Sequence, residues 1–465
     1  MDRFYHAVTL NKELCKGCTT CLQRCPTEAI RIRDGKARIN HELCVSCGEC
    51  IRVCPHHAKL AEYDSLDTMR DFEYKVALPA PSLYMQFHNM NDQNIVLNAL
   101  ISMGFDDVYE VSAAAELVSE AARRYIEAHR SEAEGPFLST ACPTIVRLVS
   151  IRFPNLLPLL LPLKPPVEVA AGIALHKAME KTGLPREKIG IFFISPCPAK
   201  VAYVRAPLGV EKSEIDRVIA IKDIYPLLLA HMNAVSETDY KDISESGKIG
   251  ISWGARGGEA TGLLRDNFLA ADGMENVMKV LDDLEDQKFQ ELDFVELSAC
   301  NGGCVGGVLT VENPYVAEAR LKKLRKYMPV SINHINGIKE RFIPNSKEIE
   351  YRPVFNLGSN MLESFARLNK AERIEKQLPG LDCGICGAPN CKALAEDIVK
   401  GEASESDCIH FLRERLRKVN SELEAVSQKL LDDPKTAGSE GLAVVREYFN
   451  AIKKDIPSFD KKNKG

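Results

Sequence analysis

Sixteen cysteines in 465 residues set the chemistry to look for. Eight lie before residue 55, four between 142 and 304, and four between 383 and 408, so every group is a multiple of four. Thiols in a reducing compartment stay reduced instead of pairing as disulfides. Thiolates taken four at a time are what an iron–sulfur cluster or a closed zinc site requires. The spacing within each group separates these two chemistries.

"CKGCTTCLQRCP" (Cys15 to Pro26) and "CVSCGECIRVCP" (Cys44 to Pro55) have one spacing, C-x2-C-x2-C-x3-C-P, repeated 29 residues apart. This is the pattern of the two-cluster bacterial ferredoxins. Two-residue gaps let a tight turn aim three thiolates at one cubane, and the fourth cysteine reaches the other. The expected ligand sets are Cys15, Cys18, Cys21 and Cys54 for one [4Fe–4S] cluster, and Cys44, Cys47, Cys50 and Cys25 for the second. A zinc module is the alternative, disfavoured by the crossed repeat. His56 and His57 read as a polar loop after the last ligand. Near the other end, Cys383, Cys386, Cys391 and Cys408 form C-x2-C-x4-C-x16-C. That spacing resembles the small single-cluster domain of electron-transport and carbon monoxide dehydrogenase complexes, with a four-cysteine zinc site as the alternative. "CKALAEDIVKG" between them reads as a helix capped by Gly401.

The middle four are scattered: Cys142, Cys197, Cys300 and Cys304 are 55, 103 and 4 residues apart. Ligands so dispersed imply a cluster buried between elements of a large domain. The small residues in "ELSACNGGCVGG" (Glu296 to Gly307) suggest backbone brought close to a bulky cofactor. "STACPT", "SPCPAK" and "ELSACNGGCVGG", in this order behind a ferredoxin-like module, resemble the three active-site motifs of [FeFe]-hydrogenases: T-S-C-C-P-G-W, M-P-C-x-x-K and E-x-M-x-C-x-G-G-C-x-G-G. Two weaker echoes agree, "GFDDVYEVSAAAEL" (Gly104 to Leu117) and "WGARGGEATGLLR" (Trp253 to Arg265). The likeness covers about residues 1 to 340.

The resemblance implies an H-cluster. A [4Fe–4S] cubane would sit on Cys142, Cys197, Cys300 and Cys304. Cys304 would also bridge to a two-iron subcluster carrying CO, cyanide and an azadithiolate. Lys200, at the lysine of the second motif, would donate to a cyanide; an ammonium paired with a buried anionic ligand is favourable. A surface lysine is the plain alternative. H2 would be split heterolytically, and its electrons would leave through the cubane and the ferredoxin-type clusters. With the C-terminal site, four [4Fe–4S] clusters are expected.

Departures from the family pattern are informative. Fast members have a proton-relaying cysteine just before the first ligand; here it is Ala141, which carries no proton. The methionines of the second and third motifs are Ser195 and Ser298, and Ile145 replaces the tryptophan. These changes resemble the sensory branch of the family, often called group D. Glu116 and Glu120 lie near the usual proton path but align to neither role. Glu259 and Glu296, carboxylates in otherwise small or apolar segments, are candidates for a replacement route. Their alternative roles are a helix-start acid and an orienting residue behind the ligands.

These residues need a scaffold. The length allows roughly three domains of ~150 residues. Alternating strand-like runs ("YKVALPA", "IGIFFIS", "KIGISWG") and helix-like ones predict an α/β multi-domain chain. Its expected parts are an α+β two-cluster ferredoxin-like domain (1–70), a two-lobed H-cluster domain (71–345), a mainly helical single-cluster domain (346–430) and a helical or disordered tail (431–465). Phe411 to Leu431 has apolar residues at helical spacing, suited to packing on its own domain or pairing with a partner or second copy as a homodimer. Net charge −5 and pI 6.1 argue against nucleic acid as a partner. The apolar run Leu156–Leu163, broken by prolines, is too short for a membrane span, and "MDRFYHAVTLNKELC" lacks a secretory h-region. The expectation is a cytoplasmic hydrogenase of low turnover with a sensory role. Its expected partners are H2, protons, a ferredoxin or another redox or signalling protein, and maturation proteins for the two-iron subcluster. The alternative is a hydrogenase-like iron–sulfur assembly or electron-transfer protein without that subcluster.

Overall fold

A computed structural model describes residues 5–88, 90–234, 240–354 and 360–432. The chain divides into two compact units, Met1–Phe355 and Asn356–Gly465. Most of the expected tail, 431–465, lies outside the described residues.

In the first unit, β1 (Val8–Leu10), β2 (Ile30–Arg33), β3 (Lys36–Ile39) and β4 (Lys59–Ala61) make two antiparallel ribbons, β1 with β4 and β2 with β3. They bracket the two cysteine repeats, as a ferredoxin-like α+β part requires. His56 and His57 are exposed.

The remaining strands are β5 (Tyr74–Pro79), β6 (Asp107–Val108), β7 (Phe137–Leu138), β8 (Ile189–Ser195), β9 (Arg217–Ala220), β10 (Phe268–Asp272) and β11 (Phe294–Ser298). They form two separate parallel sheets, β6-β5-β8-β9 and β10-β11-β7. Every residue of β8, "IGIFFIS", is buried, as expected of a central parallel strand covered on both faces. One large apolar cluster joins the two sheets, with Val76 and Phe193 of the first and Phe137 and Phe294 of the second, and each sheet also packs on a cluster of its own.

One expected strand is a helix. "KIGISWG" folds as the helix Lys248–Ser252, packed on the helix Val111–His129. A Cβ on Gly250 would lie 2.1 Å from the Ser112 carbonyl oxygen, so glycine permits this close approach. A five-residue apolar run does not distinguish a buried helix turn from a strand by periodicity.

The second unit is helical among its described residues: Met361–Gln377, Cys391–Lys400 and Ile409–Asp432. Asn390 caps the middle helix by accepting from the Ala393 amide, and Gly401 closes it in the left-handed region. Leu412 and Leu416 of the last helix are exposed, while Phe411 packs against the unit's core. No helix among the described residues is long and apolar enough to cross a membrane.

Candidate metal centre

Three of the four scattered cysteines sit just past the C-terminal ends of parallel strands. Cys142 follows β7, Cys197 follows β8 and Cys300 follows β11. Ligands of open α/β sheets characteristically bind there, and the two sheets bring their ends to one cavity. Cys142 and Cys197 are also the N-caps of the helices Pro143–Arg152 and Pro198–Arg205, each with proline at the first helical position. Both thiolates therefore lie at the positive end of a helix dipole.

All four cysteines line one cavity of about 940 Å³, part of it open, together with Lys200, Ala141, Ser298, Glu259 and Glu296. Burial raises the Cys197 thiol to about 11, and it raises Cys300 and Cys304 too; neighbouring thiols in this set reinforce each shift. Lys200 Nζ is 3.8 Å from Cys304 Sγ. Burial alone would depress this ammonium, but thiolate charge from Cys304, Cys197, Cys142 and Cys300 holds it above the ordinary lysine range. Four converging thiolates with one ammonium make a donor set that fits a cubane with an anionic extension beyond Cys304.

The glycines around Cys304 admit neighbouring backbone, and Gly303 and Gly307 also line the cavity. Gly302 and Gly303 have φ near +80°. A Cβ on Gly303 would meet the Arg256 amide nitrogen at 2.6 Å, one on Gly306 the Asn301 oxygen at 2.0 Å, and one on Gly307 the Pro196 oxygen at 2.2 Å. Their missing side chains make room for protein backbone, and the resulting tight loop carries Cys304 into the cavity.

Glu259 and Glu296 are each 5% exposed. Ser139 Oγ donates to Glu259 Oε2 at 2.5 Å. Glu296 accepts from the amides of Gly257 (2.8 Å) and Ala260 (2.9 Å). Burial, then the nearby Glu296 charge, raises the Glu259 carboxyl to about 8. Burial raises Glu296 to about 7 against the opposing pull of its amide donors. Both carboxyls are pushed up, so the buried pair favours keeping a proton. Ser195 lies outside this group; its hydroxyl donates to the Cys197 carbonyl and accepts from the Cys197 amide, shaping that ligand turn.

Glu116 does different work. Its carboxylate accepts from the amides of Gly247, Ile332 and Asn333, and from Ser331. Glu120 accepts from the Ile335 amide and pairs with Arg124. Both pin loops and neither lines the cavity.

In the ferredoxin-like part, burial raises the Cys21 thiol, with Cys18, Cys54 and Cys15 adding to it. Burial raises Cys47 as well, reinforced by Cys25, Cys50 and Cys44. The eight cysteines lie close together, with Cys25 and Cys50 packed against the core of Cys15, Cys21 and Cys54. Cys47 also lines the large cavity. Thr144 Oγ1 donates to the Val45 carbonyl (3.2 Å), and an Arg52 guanidinium NH donates to the Gly306 carbonyl (2.7 Å). Arg52 and Ser139 escaped the sequence reading because each acts on a residue more than a hundred positions away. In the second unit, Cys383, Cys386, Cys391 and Cys408 line one cavity of about 310 Å³.

The family described as "Iron only hydrogenase large subunit, C-terminal domain" matches residues 73–267 and 259–308, just over half of the chain. The chain belongs to the iron-only hydrogenase family. A 4Fe-4S dicluster domain matches residues 7–55, and an Fe-S cluster family matches 378–410. The NADP-reducing hydrogenase subunit HndD of Solidesulfovibrio fructosivorans is 24% identical over 258 residues, 45% of this chain and 44% of that protein. Iron hydrogenase 1 of Clostridium pasteurianum is 21% identical over 277 residues, 50% and 48% respectively. The chain thus spans less than half the length of each of these relatives. Among solved structures, a variant of the [FeFe]-hydrogenase HydA1 from Chlamydomonas reinhardtii superposes with a TM-score of 0.47 at 14% identity, covering 60% of this chain and 95% of that one.

Proposed function

We propose that this chain is an [FeFe]-hydrogenase that interconverts H2 with two protons and two electrons slowly, and that its role is to sense H2 or redox state. The observation that carries the proposal is the convergence of Cys142, Cys197, Cys300 and Cys304 with Lys200 on one cavity. The first four would hold the cubane of an H-cluster, with Cys304 bridging to its two-iron part. When bound, that cofactor supplies the heterolytic chemistry of H2 and accepts its electrons.

The chain's own residues supply the rest. Lys200 offers its ammonium beside Cys304, where an anionic ligand needs a partner. Glu259 holds a proton on the cavity wall at neutral pH, and Ser139 orients it. Glu296 stands ready to receive that proton, its charge supported by two amides. Ala141 lines the same cavity with a methyl group and relays nothing, so proton transfer depends on the carboxyl pair. Cys44, Cys47, Cys50 and Cys25 would hold the cluster nearer the cavity, which Cys47 borders, and Cys15, Cys18, Cys21 and Cys54 the second; the two would supply the path for electrons. The C-terminal four would carry a fourth cluster. A separate redox or signalling protein would receive the electron or signal.

Infrared spectroscopy on protein maturated with the two-iron subcluster tests this. CO and cyanide bands are expected; their absence leaves the alternative, a hydrogenase-like protein without the subcluster. Glu259→Gln and Glu296→Gln should each lower turnover by about 10²-fold or more, the range of general acid–base catalysis. Unchanged turnover in both would sink the proton route.

A further inference from the structure

The internal repeat of the ferredoxin-like part runs past its cysteines. Cys25, Pro26, Ala29 and Ile30 recur 29 residues later as Cys54, Pro55, Ala58 and Lys59. The structure preserves the equivalence. The Ala29 amide donates to Cys25 Sγ and the Ala58 amide to Cys54 Sγ, both at 3.3 Å. Ile30 opens β2 and Lys59 opens β4, and each is 2% exposed. The twin positions differ in one respect: one presents an alkyl group to the interior and the other an ammonium.

Lys59 Nζ is buried and has no hydrogen-bond partner among the described residues. An ammonium left so in an apolar interior is costly, and such groups persist where an opposite charge meets them. The candidate opposite charges are the cysteines of both ligand sets. Lys59 directly follows Ala58, whose amide donates to Cys54 Sγ and which packs in one core with Cys15, Cys21 and Cys54 of one set and with Cys25 and Cys50 of the other. A [4Fe–4S] cluster on four thiolates is a net anion in both working oxidation states, and reduction adds one further negative charge.

We propose that Lys59 is a buried counter-charge shared by the two ferredoxin-type clusters, which raises the reduction potential of both and so holds electrons on the pair. The step is one-electron reduction of a cluster by an external donor; no bond forms or breaks, and the fixed ammonium stabilises the added charge. The inference rests on the dicluster domain alone and is independent of what occupies the catalytic cavity. Isoleucine at position 59 would restore the symmetry of the repeat.

The test is an anaerobic redox titration of the full chain, reconstituted with iron and sulfide. It follows the electron paramagnetic resonance of the two spin-coupled clusters and compares wild type with Lys59→Ile, Lys59→Met and Lys59→Arg. At a fixed potential the Ile and Met variants should show a reduced-to-oxidised ratio at least tenfold lower, about 59 mV for a one-electron couple. The Arg variant should recover most of the difference. An unchanged or higher ratio in Ile and Met variants with full iron content would overturn the proposal. Failure of the two apolar variants to load iron while Arg loads would support it, because the ammonium's partner would then be the cluster itself. Failure of all three would overturn it, because shape and not charge would be what the site requires.

Discussion

Glu259→Gln removes a titrating proton from the buried pair while keeping the side chain's shape and an oxygen to accept from Ser139. The Glu259 carboxyl stands at about 8 in the folded protein, against an ordinary value of 4.5. The folded state therefore keeps a proton that the unfolded chain has released across that interval, and stability falls as pH rises through it. The favourable contribution is complete below about pH 4.5 and gone above about pH 8. At about 1.36 kcal/mol per pH unit, the full interval is worth on the order of 5 kcal/mol. Glutamine does not titrate there. Wild type and variant should match in stability near pH 5, and the variant should be the more stable above about pH 8.5. Anaerobic thermal unfolding of cluster-loaded protein, followed by near-ultraviolet circular dichroism, measures this. At about 2.1 cal/mol/K per residue, a unit of 355 residues moves its midpoint by about 1.3 °C per kcal/mol, so the curves should separate by roughly 5–10 °C at the alkaline end. A net-negative cluster beside the pair pushes both carboxyls further in the same direction, so loading preserves the sign. Midpoints running parallel from acid to alkaline pH would show that Glu259 holds no such proton, and the proton route would lose its donor.

The other expectations are more compact. Ala141→Cys alone should leave turnover far below that of fast family members, because Glu116 and Glu120, the carboxylates nearest the usual proton path, are committed to loop amides; a fully restored rate in an H2-evolution assay refutes this. Glu116→Gln should lower the unfolding midpoint through lost hydrogen bonds to a charged acceptor, at about 1.5–3 kcal/mol each, with activity per folded molecule unchanged. Gly307→Ala drives a Cβ to within 2.2 Å of the Pro196 oxygen, so it should cost about 1–3 kcal/mol and reduce iron bound per chain. Lys200→Met should leave iron for the cubane in place but weaken the infrared CO and cyanide bands of maturated protein.

Much of the metal chemistry is local and therefore written in the sequence. In the ferredoxin-like repeats, and largely in the C-terminal site, ligand spacing is turn geometry, so C-x2-C-x2-C needs no tertiary information to be recognised. The buried strand "IGIFFIS" and the capped helix Cys391–Lys400 were legible for the same reason. Lys59 stands in the sequence where the first repeat has Ile30, but nothing in the spacing singled it out; its burial without a partner among the described residues did. Other features depended on which distant segments meet. The sequence shows Glu259 and Glu296 as carboxylates among small residues; packing of β11 beside the Gly258–Gly262 helix buries them as neighbours, and that burial raises both. It shows Glu116 near a family position, while three loop amides from two other segments decide that it is structural. It shows glycines next to ligands, and only the approach of Pro196, Asn301 and Arg256 reveals that they also admit neighbouring backbone. Ligand identity follows from bonds along the chain, whereas proton affinity and electron path follow from desolvation and proximity between segments a hundred or more residues apart, which exist only once the chain has folded.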